Sequence, residues 1–189
     1  VIPNGVDTSK FQPRRQRSNS IFRIVIVSTL RRINGIIEAL KTCVYLSRIT
    51  KKPFECVFIG KGNINRYANI STLLKAGEYV RFLGAKYNVE DYLRDADASL
   101  CLKRPAAAGI SHALLEAMAS GLPVIAWNNR TYKQVIHNGE NGFLVNSLKE
   151  AALILKELLE NESLKKRIGI KARETSLNYD WSIVAEKFE

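Results

Sequence analysis

The sequence predicts an α/β fold in which a parallel sheet of about six strands carries helices on both faces. Short β-branched runs alternate along the chain with segments of helical periodicity, and several of these runs end at a glycine. The length of 189 residues suits one domain with a full hydrophobic core. Because a crossover helix returns the next strand parallel to the previous one, the alternation implies βαβ units.

The first strand, Phe22–Val27, is uninterrupted and β-branched, as expected of a strand buried on both faces. Ile36–Ile49 then shows apolar residues at helical spacing. The remaining predicted elements are strands at Phe54–Ile59, Tyr79–Leu83, Ala98–Leu102, Pro123–Trp127 and Gly142–Val145, short helices at Val89–Arg94 and Thr131–His137, and longer helices at Ser111–Ser120, Leu148–Glu160 and from Leu164 to about Leu177. Ligands of such sheets bind beyond the carboxyl ends of the strands, so the loops that follow the strands are the candidate site.

Residues 1–20 are polar and basic after their first few positions, and they are expected to be an interdomain connector. Residues 21–189 form the predicted domain. The amino terminus has no initiator Met and none of the regions of a signal peptide, so we expect a piece of a longer protein.

The chain holds 29 Lys and Arg against 18 Asp and Glu, a net charge of +11. This excess favours anionic partners, and nucleic acid, an acidic membrane surface and a phosphorylated small molecule all fit it. The basic runs are not interleaved with aromatic residues, which argues against a nucleic-acid stacking platform. No apolar run is long enough to span a bilayer.

The cysteines Cys43, Cys56 and Cys101 lie far apart in apolar segments, with no CxxC pair. Together with the presence of only two His, this spacing argues against a zinc site, and no metal or other cofactor is expected. Reduced, buried thiols are typical of a cytosolic protein. We therefore expect a cytoplasmic location, with peripheral membrane contact as an option that the basic charge leaves open.

The segment after the fourth strand carries the predicted chemistry. Gly109 just before a helix lets a ligand approach the backbone, and the free N–H groups of the first helical turn favour an anion. Glu116, one to two turns into that helix, stands among small apolar residues. A carboxylate there is well placed to accept hydrogen bonds from neutral hydroxyls, such as those of a ribose.

The stretch Leu115–Ala126 closely resembles the conserved segment of retaining glycosyltransferase family 4. Further segments fit that family in the same order: Val1–Asp7, Val80–Gly84, Asp95–Asp97, Asn138–Val145 and Trp181. The resemblance covers essentially the whole chain.

The resemblance implies the C-terminal, donor-binding half of an enzyme with two Rossmann-like domains, the GT-B arrangement. This half binds a nucleotide-diphosphate sugar for transfer with retention, usually without a metal, and the missing half holds a glycan or lipid-linked acceptor. Carried onto this chain, Glu116 binds the ribose beside Leu115, and the backbone of Gly109, Ile110 and Ser111 approaches the sugar and diphosphate. Alone, the fragment is expected to be inactive.

Two departures from the family pattern stand out. Eight residues before Glu116, where the family has a second glutamate that contacts the donor sugar, this chain has Ala108. After the first strand, Thr29 and Asn34 stand where the family has Arg and Lys. Arg31 and Arg32 are candidates to supply the cation that a diphosphate needs, and surface arginines are the alternative.

Five further residues are weaker candidates. Gly60 and Gly62 resemble the family's glycines after the second strand, although a plain turn explains them equally well. Gly84 follows the third strand, and Arg104 follows the fourth and could reach the diphosphate. His112 lies beside the proposed phosphate site, where an unspecialised helical position is the alternative.

Three hypotheses follow. The chain is the donor-binding domain of a glycosyltransferase; or it is a nucleotide-sugar-binding module that lost transfer with its first glutamate at Ala108; or it is a basic domain that binds nucleic acid or membrane by charge. The third predicts an affinity that collapses with salt and no protection of the fold by nucleotides.

Overall fold

A computed structural model describes residues 4–14, 21–103 and 110–186. Six parallel strands form one sheet, in the order β3-β2-β1-β4-β5-β6. The strands are β1 (Phe22–Val27), β2 (Phe54–Ile59), β3 (Val80–Gly84), β4 (Ala98–Cys101), β5 (Val124–Trp127) and β6 (Phe143–Val145). The helices are α1 (Ile36–Ile49), α2 (Ile64–Leu73), α3 (Val89–Arg94), α4 (His112–Ala119), α5 (Leu148–Glu160), α6 (Glu162–Leu177) and α7 (Trp181–Ala185). The predicted fold class is confirmed.

The two faces of the sheet bury two separate hydrophobic cores. Successive strand residues point to opposite faces, so Ile24 enters one core and Val25 the other, and both are fully buried. The first core is covered by α1, α2 and α5, and the second by α3 and α4. Helix α6 joins them, because its Ile168 packs into the first core and its Ala172 into the second.

Three elements differ from the sequence prediction. Helix α2 covers the edge strand β3 and buries only Tyr67 and Ser71, and the sequence prediction did not include it. Helix α7 is short and was not predicted either. The predicted helix at Thr131–His137 is a 3₁₀ turn at Tyr132–Gln134.

The described part of the predicted connector packs on the domain. Val6 donates its N–H to the Tyr179 carbonyl at 2.8 Å and accepts from the Trp181 N–H at 3.1 Å. Phe11 is buried in the second core. The guanidinium of Arg173 on α6 donates to the carbonyls of Phe11 and Thr8. Residues 4–14 are therefore held by the C-terminal helices.

None of the helices in the described ranges is both long enough and apolar enough to cross a membrane.

Candidate functional site

The strand order reverses direction at the boundary between β1 and β4, at the centre of the sheet. Chain connections leave such a boundary to opposite sides, which opens a crevice at the carboxyl ends of the two strands. A small cleft lies there. Its polar lining comes from Ser28 and Asn34 after β1, Lys103 after β4, and Ser111 at the start of α4.

The loop after β1 closes on itself through two neutral side chains. The Asn34 Nδ2 donates to the Thr29 carbonyl at 2.9 Å and to the Thr29 hydroxyl at 2.6 Å. Between them, Arg31 and Arg32 are exposed, and Arg32 begins a 3₁₀ turn that ends at Asn34. Within the described ranges neither arginine forms an ion pair. The structure therefore places both at the rim near the cleft and not among the residues that line it.

Gly35 brings the start of α1 against the end of β4. Its φ is +77°, and a Cβ there would lie 2.1 Å from the Leu102 carbonyl oxygen and 3.0 Å from the Lys103 nitrogen. From the other side, the indole N–H of Trp127 donates to the same Leu102 carbonyl at 2.9 Å. The backbone at Leu102 and Lys103 is thus fixed between the β1 loop and the end of β5.

The glycines after β2 serve backbone packing. A Cβ at Gly60 would lie 2.0 Å from the Ser28 carbonyl oxygen, and a Cβ at Gly62 would lie 2.5 Å from the Leu30 Cβ. Gly84, at φ +70°, accepts a hydrogen bond from the Gly60 N–H at 2.8 Å. Close approach of neighbouring loops is therefore sufficient to explain why glycine stands at Gly60 and Gly62, which favours the plain-turn interpretation of both.

The start of α4 is built as a capped helix terminus. The Ser111 hydroxyl accepts from the Leu114 N–H at 3.2 Å, which satisfies one of the free donors of the first turn. Ile110 is buried, and its carbonyl accepts from the Asn4 side chain at 2.6 Å. Leu115 is fully buried in the second core, so its side chain packs and does not face the cleft.

Glu116 is half-buried on α4, close to the end of β4. Burial raises the pKa of its carboxyl, while the positive charges of His112 and Lys10 oppose that rise and the negative charge of Glu90 adds to it. Burial also raises the pKa of the Cys101 thiol to about 12, and the charge of Glu116 contributes to that rise. Glu116 is thus near enough to Cys101, at the end of β4, for their charges to interact, but it is not among the described residues that line the cleft.

The segment of residues 4–14 borders this carboxylate. Lys10 forms an ion pair with Glu90 on α3 at 3.4 Å. The Nδ1 atom of His112 lies 3.3 Å from the Gly5 carbonyl oxygen. The centroid of the His112 ring lies 6.1 Å from that of the Trp181 ring. His112 therefore contacts the leading segment, and the structure gives it a packing partner that the sequence did not indicate.

The structure brings together only some of the site residues that the sequence predicted. Arg104, Ala108 and Gly109 lie outside the described residues. Lys103 and Lys10 were missed by sequence reasoning. Lys103 directly follows the predicted fourth strand, and that position could have signalled it, whereas the fold-back of the chain that brings Lys10 to Glu90 leaves no local signal. In the described ranges no group of three His, Cys, Asp or Glu side chains is placed to hold a metal ion.

Comparison with known proteins agrees with this geometry. Residues 8–175 match the family model described as glycosyl transferases group 1. The phosphatidyl-myo-inositol mannosyltransferase of Mycobacterium tuberculosis is 27% identical over 216 aligned positions, which cover 98% of this chain and 51% of that protein. The chain thus spans about half the length of this relative.

Solved structures show the same fold. A glycosyltransferase from Rickettsia africae matches with a TM-score of 0.86 at 21% identity, over 100% of this chain and 55% of that one. HepE of Anabaena, solved in complex with UDP, matches with a TM-score of 0.82 at 19% identity, again over 100% and 55%. The family match spans most of the sequence, and the sheet order and the crevice agree with it. The chain belongs to the group 1 glycosyl transferases.

Proposed function

We propose that this chain is the donor-binding domain of a glycosyltransferase and that it binds a nucleotide-diphosphate sugar in the crevice between β1 and β4. The observation that carries the proposal is the position of Glu116, a half-buried carboxylate beside the carboxyl end of β4. Burying a carboxylate costs stability unless it gains partners. The two hydroxyls of a ribose are suitable donors for it.

The diphosphate would lie between Glu116 and the loop after β1. The Ser111 hydroxyl and the start of α4 border the cleft on one side. On the other side Arg31 and Arg32 stand at its rim, where their charges attract an anion without contacting it directly. In transfer, cations of this kind stabilise the negative charge that develops on the departing nucleoside diphosphate.

The remaining parts of the reaction are proposed from the family resemblance. Transfer proceeds with retention and without a metal, and a second domain holds a glycan or lipid-linked acceptor. Because the chain spans about half of its relative, these 189 residues alone are expected to transfer nothing. A cytoplasmic location with peripheral contact to an anionic membrane fits the net charge of +11.

A second candidate function is favoured by one specific observation. Ala108 occupies the position at which the resemblance expects a sugar-binding glutamate. A protein that lacks this carboxylate could bind the donor and yet transfer no sugar. The two functions differ in turnover, so the longer protein from which the chain comes should be tested for donor hydrolysis and sugar transfer. Donor binding without either reaction would establish the second candidate and refute the first.

Nucleotide binding itself is tested by thermal unfolding with UDP, GDP and ADP, with and without their sugars. A ligand at 100 times its Kd stabilises the fold by about 2.7 kcal/mol. For a domain of this size that corresponds to a rise in Tm of roughly 5 to 11 °C. If none of these nucleotides raises the Tm, the proposed function is wrong.

The role of Glu116 is tested by Glu116→Gln, with Glu157→Gln on the exposed face of α5 as the matched control. Folding raises the pKa of Glu116, so its ionised form near neutral pH opposes folding, and the neutral amide should raise the Tm of the free chain. The same substitution should abolish most of the protection by nucleotide. A purely structural carboxylate would give the opposite pattern, with lower stability and unchanged protection.

A further inference from the structure

The wall that the β1 loop contributes to the cleft is neutral. Its lining residues are Ser28 and Asn34, and the Asn34 amide is engaged with Thr29. Arg31 and Arg32 lie at the rim. A diphosphate that entered the cleft would therefore need its cation from another element of the fold.

Lys103 is placed to supply that cation. It lies two residues beyond the end of β4, and it is the one cation among the described residues that line the cleft. It is half-buried, and it forms neither an ion pair nor a side-chain hydrogen bond within the described ranges. Its ammonium group is thus available to an incoming anion, since no carboxylate of the described chain neutralises it.

The backbone that carries Lys103 is held on two sides. The Leu102 carbonyl, one residue earlier, accepts from the Trp127 indole, and it leaves no room for a side chain at Gly35. A rigid anchor lowers the entropy lost when a lysine contacts a ligand, because fewer bonds need to be ordered. No carboxylate of the described chain therefore balances the charge of Lys103, and the position of its Cα is fixed.

We propose that Lys103 contacts the donor diphosphate and balances part of its negative charge, so that the end of β4 supplies a cation that the β1 loop does not contribute to the cleft lining. The inference rests on the proposed function and adds to it a diphosphate-binding residue. A lysine is a compact point charge that binds phosphate oxygens without a fixed geometry. Lys103 would thus contribute to affinity for the diphosphate and contribute nothing to recognition of the nucleoside.

The test compares a nucleoside diphosphate with its own nucleoside. The chain is titrated calorimetrically with whichever of UDP, GDP or ADP raises the Tm most, and then with the corresponding nucleoside. Lys103→Met should weaken binding of the diphosphate about 10- to 100-fold, the range expected for one charge-assisted contact, and leave the nucleoside unchanged. Lys133→Met, an exposed lysine on the 3₁₀ turn after β5, should change neither affinity.

A charge-preserving variant separates charge from packing. Lys103→Arg should keep most of the preference for diphosphate over nucleoside. The inference is overturned if Lys103→Met binds the diphosphate like the parent chain, if it weakens diphosphate and nucleoside equally, or if Lys103→Arg fails as completely as Lys103→Met. A parent chain that binds none of the three nucleotides would instead refute the proposed function on which the inference rests.

Discussion

The contact between Gly35 and the end of β4 gives a prediction whose magnitude follows from the structure. Gly35 and Gly139 have nearly the same backbone conformation, with φ of +77° and +78°. A Cβ at Gly35 would lie 2.1 Å from the Leu102 carbonyl oxygen, whereas at Gly139 nothing lies within 4 Å. Substituting each by Ala therefore separates steric overlap from conformational strain.

Both substitutions incur the cost of a left-handed L-residue, about 1 to 2 kcal/mol. At Gly35 the overlap adds a further cost, because the backbone of β4 and its indole hydrogen bond must move. Overpacking of this kind typically costs about 1 to 3 kcal/mol. Gly35→Ala should therefore be less stable than Gly139→Ala by that amount, a Tm difference of roughly 2 to 12 °C.

The measurement is urea and thermal unfolding of the two variants, followed by tryptophan fluorescence. The chain has two Trp, and Trp127 donates to the displaced carbonyl, so the native emission of Gly35→Ala should also change. Equal losses of stability in the two variants would refute the steric argument. They would also contradict the inference that the backbone of Lys103 is rigidly held.

Two further predictions concern the segment of residues 4–14. Arg173→Lys should destabilise the domain by roughly 2 to 4 kcal/mol. The guanidinium donates to the carbonyls of Thr8, Phe11 and Ala119 at 3.0, 2.6 and 2.8 Å, and a lysine cannot span all three. Charge-assisted hydrogen bonds contribute about 1.5 to 3 kcal/mol. Limited proteolysis should then cut near Thr8 before the rest of the domain, and unchanged protection of that segment would count against the clamp. Asp180→Ala should cost about 1 kcal/mol at pH 7, because Asp180 caps α7 and accepts from Thr8 and Ser182. These hydrogen bonds lower the pKa of the Asp180 carboxyl in the folded state, so their contribution is present above its unfolded pKa and is lost as the pH falls through the lowered folded value. The difference in unfolding free energy between Asp180→Ala and the parent should therefore shrink below about pH 4, and a difference that stays constant into stronger acid would contradict the assignment.

Part of the candidate site could be predicted because its signals are local. Glu116 is conspicuous in the sequence as a carboxylate among small apolar residues, and the structure places it beside the crevice. Gly60 and Gly62 were equally visible, but the sequence could not tell ligand contact from packing. Their distances to Ser28 and Leu30 are sufficient to explain them by packing.

The rest of the site depends on contacts between residues far apart in the chain. Lys10 forms an ion pair with Glu90 on α3, and the Asn4 side chain donates to a carbonyl 106 positions away. No period or composition signals such contacts. The sequence indicated Arg31 and Arg32 as the cations for the diphosphate, whereas the structure indicates Lys103. Only the packing of the loops decides which cation lines the cleft.

The sequence by itself determined the fold class, the parallel strands and the edge of the sheet at which we propose that a ligand binds. These follow from periodicity and from the handedness of crossovers, which act over a few residues at a time. The tertiary structure decided that Thr29 and Asn34 meet, that Leu102 is held between Gly35 and Trp127, and that residues 4–14 lie against α6 and α7. Side-chain partners across a fold are fixed by the packing of whole elements, and that packing depends on the entire chain at once.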